Sequence, residues 1–257
     1  MHQEIINLEP GKKVFFASDF HLGAPNEEKS LEREKKIIRW LSSIENEAAV
    51  IVFVGDVYDF WFEYKYTIPK GFIRFQGKLA ELFDKGIKLI FFNGNHDLWM
   101  FGYYSEYFNA PVYRQPVQFI INGKKLLVAH GDGLGPGDKM HKLMLKVFES
   151  SFFQWLFTIF PTNFCYWIAN KWSKGSRASN DKREEIFLGE DEWLWCYTKE
   201  IESKEHHDCY IFGHRHLSLD LPVGNTSRYI NLGDWLRFYT YASFDGESLE
   251  YKKFEET

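Results

Sequence analysis

The apolar run KLIFF (88–92) ends in NGNHD, and the same abrupt change from a short apolar run to Gly, Asp, Asn or His occurs at four other places in the chain. KVFFA leads into SDFHLG (18–23), AVIVFV into GDVYDF (55–60), LLVA into HGD (130–132) and CYIF into GHRH (213–216). Runs of this length bounded by turn formers read as buried strands. In α/β sheets, ligands collect beyond the carboxyl ends of the strands. Asp19, His21, Asp56, Asn95, His96, His130, His214 and His216 are therefore expected to point into one space.

One Asp or His after a strand is more often a turn former or a helix cap. Here five of the nine histidines fall at such ends, so the pattern points to ligands. Imidazole and carboxylate oxygen suit Mn²⁺, Fe²⁺ or Zn²⁺, and no cysteine occurs in the set. A carboxylate shared by two cations places them about 3.5–4 Å apart, where both polarise the oxygens of a phosphoryl group. Within GNHD, Gly94 is expected to turn the chain, Asn95 to offer a neutral oxygen, His96 to reach substrate, and Asp97 to orient an imidazole or backbone group. Asp59 is expected one helical turn past Asp56, as a partner for a ligand.

Between these runs lie helical patterns at 28–47 and at 72–86, the second stopped by Gly86, which makes an α/β sheet the expected core. A second sheet begins at QFIINGKKLLVAHGD, whose Asn-Gly pair signals a hairpin, and the chain closes with a hairpin at YASFDGESLEYKKF. After Gly137 the pattern is helical to about residue 203, broken at Pro161 and at SKGSRASND (173–181). We expect one domain over 1–257, with a helical insert at about 137–203.

The 45 % of hydrophobic residues can bury a large core, and no run of about 18 uncharged apolar residues is present to span a bilayer. The N-terminus lacks the layout of a cleavable signal, so a cytoplasmic location is expected. Three cysteines at unrelated spacings suggest neither disulfides nor a thiolate site. The net charge of −5 argues against nucleic acid as a partner, yet residues 139–183 carry +6 and leave −11 for the rest. That basic stretch contains SFFQWLFTIFPTNFCYWIANKW (151–172), with Phe or Trp at 152, 153, 155, 157, 160, 164 and 167, spread too widely around a helix to serve one packed face. It reads as a site for an amphiphilic anion or an anionic lipid surface, or as a helical pair packed on the core with a solvated basic rim. Lys142 and Lys146 are expected on a solvated face, and His206 and His207 at the surface.

The ordered set SDFHLG, GDVYDF, GNHD, AHGD and GHRH resembles the calcineurin-like metallophosphoesterase superfamily. The resemblance implies a four-layer αββα sandwich of two mixed sheets, with two divalent ions, one held by Asp19, His21, Asp56 and His216 and the other by Asp56, Asn95, His130 and His214. Asp56 would be the bridge. A narrower likeness rests on Trp61, HGDGLGPGDKMHKLMLKVFE, the aromatic helices, SKGSRASND and NLGDW, which resemble the UDP-2,3-diacylglucosamine pyrophosphatases. That family uses Mn²⁺ to make lipid X and UMP in lipid A biosynthesis, and its helical insert receives the acyl chains. The likeness implies a nucleotide-sugar lipid substrate and a peripheral place on the inner membrane, with no obligate protein partner. Trp61, Asp138, His141, Ser176, Arg177, Asn180 and Arg183 would face nucleotide, sugar or acyl groups. Many members of the narrower family have arginine where this chain has His96; arginine grips phosphate as a fixed fork, whereas histidine also transfers a proton. Two alternatives stay open: a soluble phosphatase or phosphodiesterase for nucleotides or phosphoproteins, and a non-catalytic scaffold, which predicts missing ligands.

Overall fold

The structure, a computed structural model, describes residues 1–137, 139–169, 171 and 186–255, without the side chains of 139–141. In chain order its strands are β1 (His2–Ile6), β2 (Lys13–Ala17), β3 (Ala48–Val54), β4 (Lys88–Phe92), β5 (Val112–Tyr113), β6 (Val117–Ile121), β7 (Lys124–Ala129), β8 (Cys209–Phe212), β9 (Ser218–Val223), β10 (Ser227–Leu232), β11 (Thr240–Phe244) and β12 (Leu249–Lys253). The helices are α1 (Glu27–Ile44), α2 (Ile73–Asp84), α3 (Tyr103–Phe108), α4 (Lys139–Phe148), α5 (Ser151–Ile159), α6 (162–169) and α7 (Trp193–Glu202).

The strands form two mixed sheets of six, in the orders β12-β11-β2-β3-β4-β5 and β1-β6-β7-β8-β10-β9. β2, β3 and β4 are mutually parallel, as are β7, β8 and β10, so each group of three ends on one side. The Asn122-Gly123 turn takes φ of +48° and +86°, which joins β6 to β7 as the sequence predicts.

Alternate residues of each strand face opposite layers. Phe16, Val52 and Ile90 of the first sheet meet Phe119, Val128 and Ile230 of the second in an inner core. The other face of the first sheet, with Phe15, Phe53 and Phe91, is covered by α1 and α2. Helix α1 starts at Asn26, whose side chain accepts from Lys29 N at 3.0 Å, and buries Ile37, Trp40, Leu41 and Ile44 at helical spacing. Helix α2 stops where Gly86 adopts φ +82°. The outer face of the second sheet, with Leu127, Tyr210 and Phe212, is covered by α7 through Leu194. The result is the expected αββα sandwich.

Two expectations need correction. Helix α7 falls within the expected insert at 137–203, yet it packs as the sandwich's outer layer, because Leu194 and Thr198 are fully buried against the sheet. His207, expected at the surface, is buried and pairs through Nε2 with Gln118 Oε1 at 3.1 Å; His206 is exposed. Among the described residues, no helix is long and apolar enough to cross a membrane.

Candidate metal centre

Every ligand candidate leaves a strand that has at least one parallel neighbour. Asp19 and His21 follow β2, Asp56 follows β3, Asn95 and His96 follow β4, His130 follows β7, and His214 and His216 follow β8. Five of the nine described non-glycine residues at positive φ belong to this set: Asp19, His21, Asp56, His214 and His216, at +44° to +67°. Each such residue costs on the order of 1–3 kcal/mol and persists only where its surroundings dictate it. Here they do. Asp19 N donates to Gly55 O at 3.0 Å, His21 N to Asp56 O at 2.9 Å, and Gly213 N to His130 O at 3.0 Å, so the loops of both sheets are laced together. Arg33 of α1, buried, donates from Nη2 to the carbonyls of His21 and Ala24, each at 2.5 Å. Asp97 accepts from the backbone of Asp56, Val57, Tyr58 and Gly94 at 2.8–3.3 Å, which confirms its expected backbone role.

The motif glycines make room for the ligands of neighbouring loops. A Cβ on Gly55 would lie 2.4 Å from His130 Nδ1, and one on Gly213 would lie 2.5 Å from Asp19 Oδ2. Gly94, expected to turn the chain out of β4, does so without a positive φ; its place is steric as well.

These constraints bring the set together. His216 Nε2 is 3.0 Å from His21 Nε2 and 3.3 Å from Asp19 Oδ1. Asp56 Oδ2 lies 3.7 Å from His21 Nε2 and 3.3 Å from His130 Nε2, so one oxygen faces an imidazole from each group. Asn95 Oδ1 and His214 Nδ1 are 3.0 Å apart, and His214 N donates to Asp19 Oδ2. Ligand atoms of Asp19, His21 and His216 lie within 4.8 Å of one another, as do those of Asp19, Asp56 and His130.

The donor set fits divalent cations on three counts. Asp19 Oδ1 and His130 Nε2 are fully buried without a hydrogen-bond partner, a costly state for polar atoms unless something else fills their coordination. His130 donates from Nδ1 to Val54 O at 2.8 Å, which directs the lone pair of Nε2 at the cluster. The electrostatics agree. Burial alone would raise the Asp56 carboxyl, but the imidazoles of His130, His96 and His21 hold it well below the usual range; Asp19 is lowered for the same reasons by His21 and His216. His130, which burial alone would lower, is raised to about 10 by Asp56. Asp97 is pushed up to about 6 by burial and by the charge of Asp56. Two buried carboxylates held charged among these rings form a place where positive charge is stabilised, whether a proton on an imidazole or a cation on its lone pair.

Asp59 sits beside two of the imidazoles, its Oδ1 3.7 Å from His21 Nδ1 and 3.8 Å from His96 Nδ1, and its carbonyl accepts from His96 Nδ1 at 3.1 Å. It is a partner as expected, though irregular chain and not a helical turn places it there. Beside His96 and Asn95 opens an apolar pocket of about 450 Å³ including its mouth, walled by Phe60, Trp99, Phe148, Phe157 and Ile168. Helices α4 and α5 pack beside the centre here: Phe157 of α5 packs on Phe62 and Trp99 with ring centroids 4.9 and 4.8 Å away, and Trp99 Nε1 donates to Phe148 O. Tyr166 of α6 packs on Phe60 with ring centroids 5.3 Å apart, while Phe152, Trp155 and Trp167 face outward, 58–60 % exposed.

Trp61, expected to face substrate, is fully buried, stacked on Tyr58 at 4.3 Å and donating to Glu63. Its neighbour Phe60 lines the pocket instead. Asp138, Ser176, Arg177, Asn180 and Arg183, and the side chain of His141, lie outside the described residues. Asp234 was missed. It is fully buried behind His216, its Oδ2 3.3 Å from His216 Nδ1, and its signal was available, since NLGD ends a strand in the way that FVGD does.

A family model described as calcineurin-like phosphoesterase matches residues 12–218. A protein of Porphyromonas gingivalis named UDP-2,3-diacylglucosamine hydrolase is 35% identical, across 95% of this chain and 98% of its own length. Proteins of the same name from Shewanella oneidensis and Histophilus somni are 23% and 25% identical, across 93% and 87% of this chain and 97% and 92% of theirs.

Proposed function

Because the chain belongs to the calcineurin-like phosphoesterase family and is a hydrolase, we propose that it cleaves the diphosphate of UDP-2,3-diacylglucosamine to 2,3-diacylglucosamine 1-phosphate and UMP, in lipid A biosynthesis. The observation that carries this reading is the apolar pocket against Asn95 and His96: an apolar recess directly beside a polar, metal-suited centre suits an acylated sugar phosphate. The name that the relatives carry, UDP-2,3-diacylglucosamine hydrolase, supports the same substrate.

In this reading Asp19, His21, Asp56 and His216 hold one divalent ion and Asp56, Asn95, His130 and His214 the other, with Mn²⁺ the expected metal. When bound, such a pair draws charge from phosphoryl oxygens and lowers the pKa of water toward neutrality. The chain's own side chains do the rest. His96, its ring held at Nδ1 by Asp59 O, meets the phosphoryl oxygens and supplies positive charge or a proton as charge develops there. Phe60, Phe157 and Ile168 bury the acyl chains and exclude water from the same space. The leaving group is a sugar phosphate of low basicity, so a strong general acid is unnecessary. The outward aromatics of α5 and α6, with Lys171 over the Trp167 ring, would rest on the anionic inner face of the membrane and collect the substrate there.

The test is to give the Mn²⁺-loaded protein UDP-2,3-diacylglucosamine, its deacylated counterpart and a simple aryl phosphate. UMP release that depends on the acyl chains is the expected result. Cleavage of the aryl phosphate alone would overturn the reading in favour of a soluble phosphatase.

A further inference from the structure

We propose that Asp234 is a positioning residue of the metal centre, acting through His216; the inference rests on the reading that Asp19, His21, Asp56 and His216 hold a divalent ion. Asp234 lies beyond residues 12–218, the part of the chain that the family model matches, and so belongs to none of the five motifs. It reaches the site because β10 pairs in parallel with β8, which brings the loop after β10 out beside the GHRH loop.

Two nitrogens of one ring are involved. His216 Nε2 faces Asp19 Oδ1 at 3.3 Å and His21 Nε2 at 3.0 Å, while Nδ1 faces Asp234 Oδ2 at 3.3 Å. A carboxylate at Nδ1 keeps the ring proton there and presents the Nε2 lone pair to the centre, which also makes it a better ligand. Asp234 is itself held. Its Oδ1 accepts from Leu236 N at 2.9 Å and Arg237 N at 2.6 Å, and its Oδ2 accepts from Arg237 Nη2 at 3.1 Å. The next residue grips a second ligand, for Trp235 N donates to Asp19 O at 3.1 Å, and the Trp235 indole is anchored in the core on Thr240 O. One loop therefore sets the ring plane of His216 and the backbone of Asp19, both of which sit at positive φ and depend on their surroundings for that geometry.

The test variant is Asp234→Asn. Asparagine still accepts from the backbone through Oδ1, so the turn is kept, while its amide group offers His216 Nδ1 a donor where a carboxylate stood and releases the half-exposed Arg237 side chain toward water. Metal-free wild type and variant are titrated with Mn²⁺ and followed by electron paramagnetic resonance and calorimetry, with the melting temperature of each metal-free protein measured alongside. Two ions on the wild type, one of them held about 10–100-fold more weakly by the variant at an unchanged melting temperature, is the expected result. Wild-type affinity for both ions in the variant overturns the inference while leaving the metal centre standing. Equal weakening of both ions with a lowered melting temperature also overturns it, since that marks a role in folding alone. A wild type that takes up no Mn²⁺ would sink the metal reading itself, and this inference with it.

Discussion

Gly94 and Asp56 approach so closely that a Cβ on Gly94 would stand 2.1 Å from Asp56 Oδ1 and 2.6 Å from the Asp56 backbone nitrogen. The glycine of one motif is thus the floor on which the carboxylate of another rests. Asp56 Oδ1 also accepts from His96 N at 2.9 Å, which leaves Oδ2 to face His21 and His130. Gly94→Ala should therefore displace the carboxylate together with its backbone. We expect an overpacking loss of about 1–3 kcal/mol in stability together with loss of at least one bound ion, read by urea melts and by metal content. A variant that keeps both ions would show that the loop yields freely.

Asp56→Ala removes the one oxygen that faces imidazoles of both groups. Turnover should fall at least about a thousandfold, equivalent to about 4 kcal/mol of transition-state stabilisation, with bound metal reduced and the far-ultraviolet spectrum kept. Near-normal activity would refute the bridging role.

Phe157 and Trp155 sit two residues apart on α5 and should behave differently. Phe157 packs on Phe62 and Trp99 and walls the pocket, whereas Trp155 is exposed. Phe157→Ala should raise KM for the diacylated substrate by about tenfold and leave a small aryl phosphate unaffected, in line with about 1–2 kcal/mol of lost packing. Trp155→Ser should leave hydrolysis of detergent-dispersed substrate intact and lower cosedimentation with anionic vesicles. Identical effects of the two changes would argue against an inward and an outward face.

Glu202 governs an acid-sensitive contact far from the centre. Although burial alone would raise it, hydrogen bonds from Tyr210, His206, the His207 backbone and Ser227 lower its carboxyl to about 2, from 4.5. A depressed folded value stabilises the protein above the unfolded value and ceases to do so as pH falls through the folded one. The contribution is thus complete above about pH 4.5 and gone near pH 2, worth about 1–2 kcal/mol after solvent screening. Glu202→Gln should melt lower than wild type at pH 7, and the two curves should converge as pH falls to 2. A constant gap across that range would exclude the carboxylate as its source.

The five motifs and the strands that carry them were legible in the sequence because each depends on neighbours a few residues away. A buried strand announces itself by its apolar run, a turn by Asn-Gly, and a candidate ligand by its own chemistry, so the set Asp19, His21, Asp56, Asn95, His96, His130, His214 and His216 and the presence of two sheet regions could be read without coordinates, and the αββα layering came from the family resemblance of the motifs. What the tertiary structure alone decided depends on contacts between distant segments. Trp61 or Phe60 could equally have faced the pocket, and the choice was made by Tyr58, which stacks on the indole, and Tyr104, which packs against it in the core. Helix α7 reads like its neighbours in the insert, but the open outer face of β7 and β8 claims it. The pairing of β10 with β8 brings Asp234 within reach of His216, and the packing of one sheet on the other sets His130 against Asp56, 74 residues away in the chain. Local sequence specifies which groups end the strands; the register and stacking of the sheets specify which of those groups touch, since that is settled only when the whole core closes.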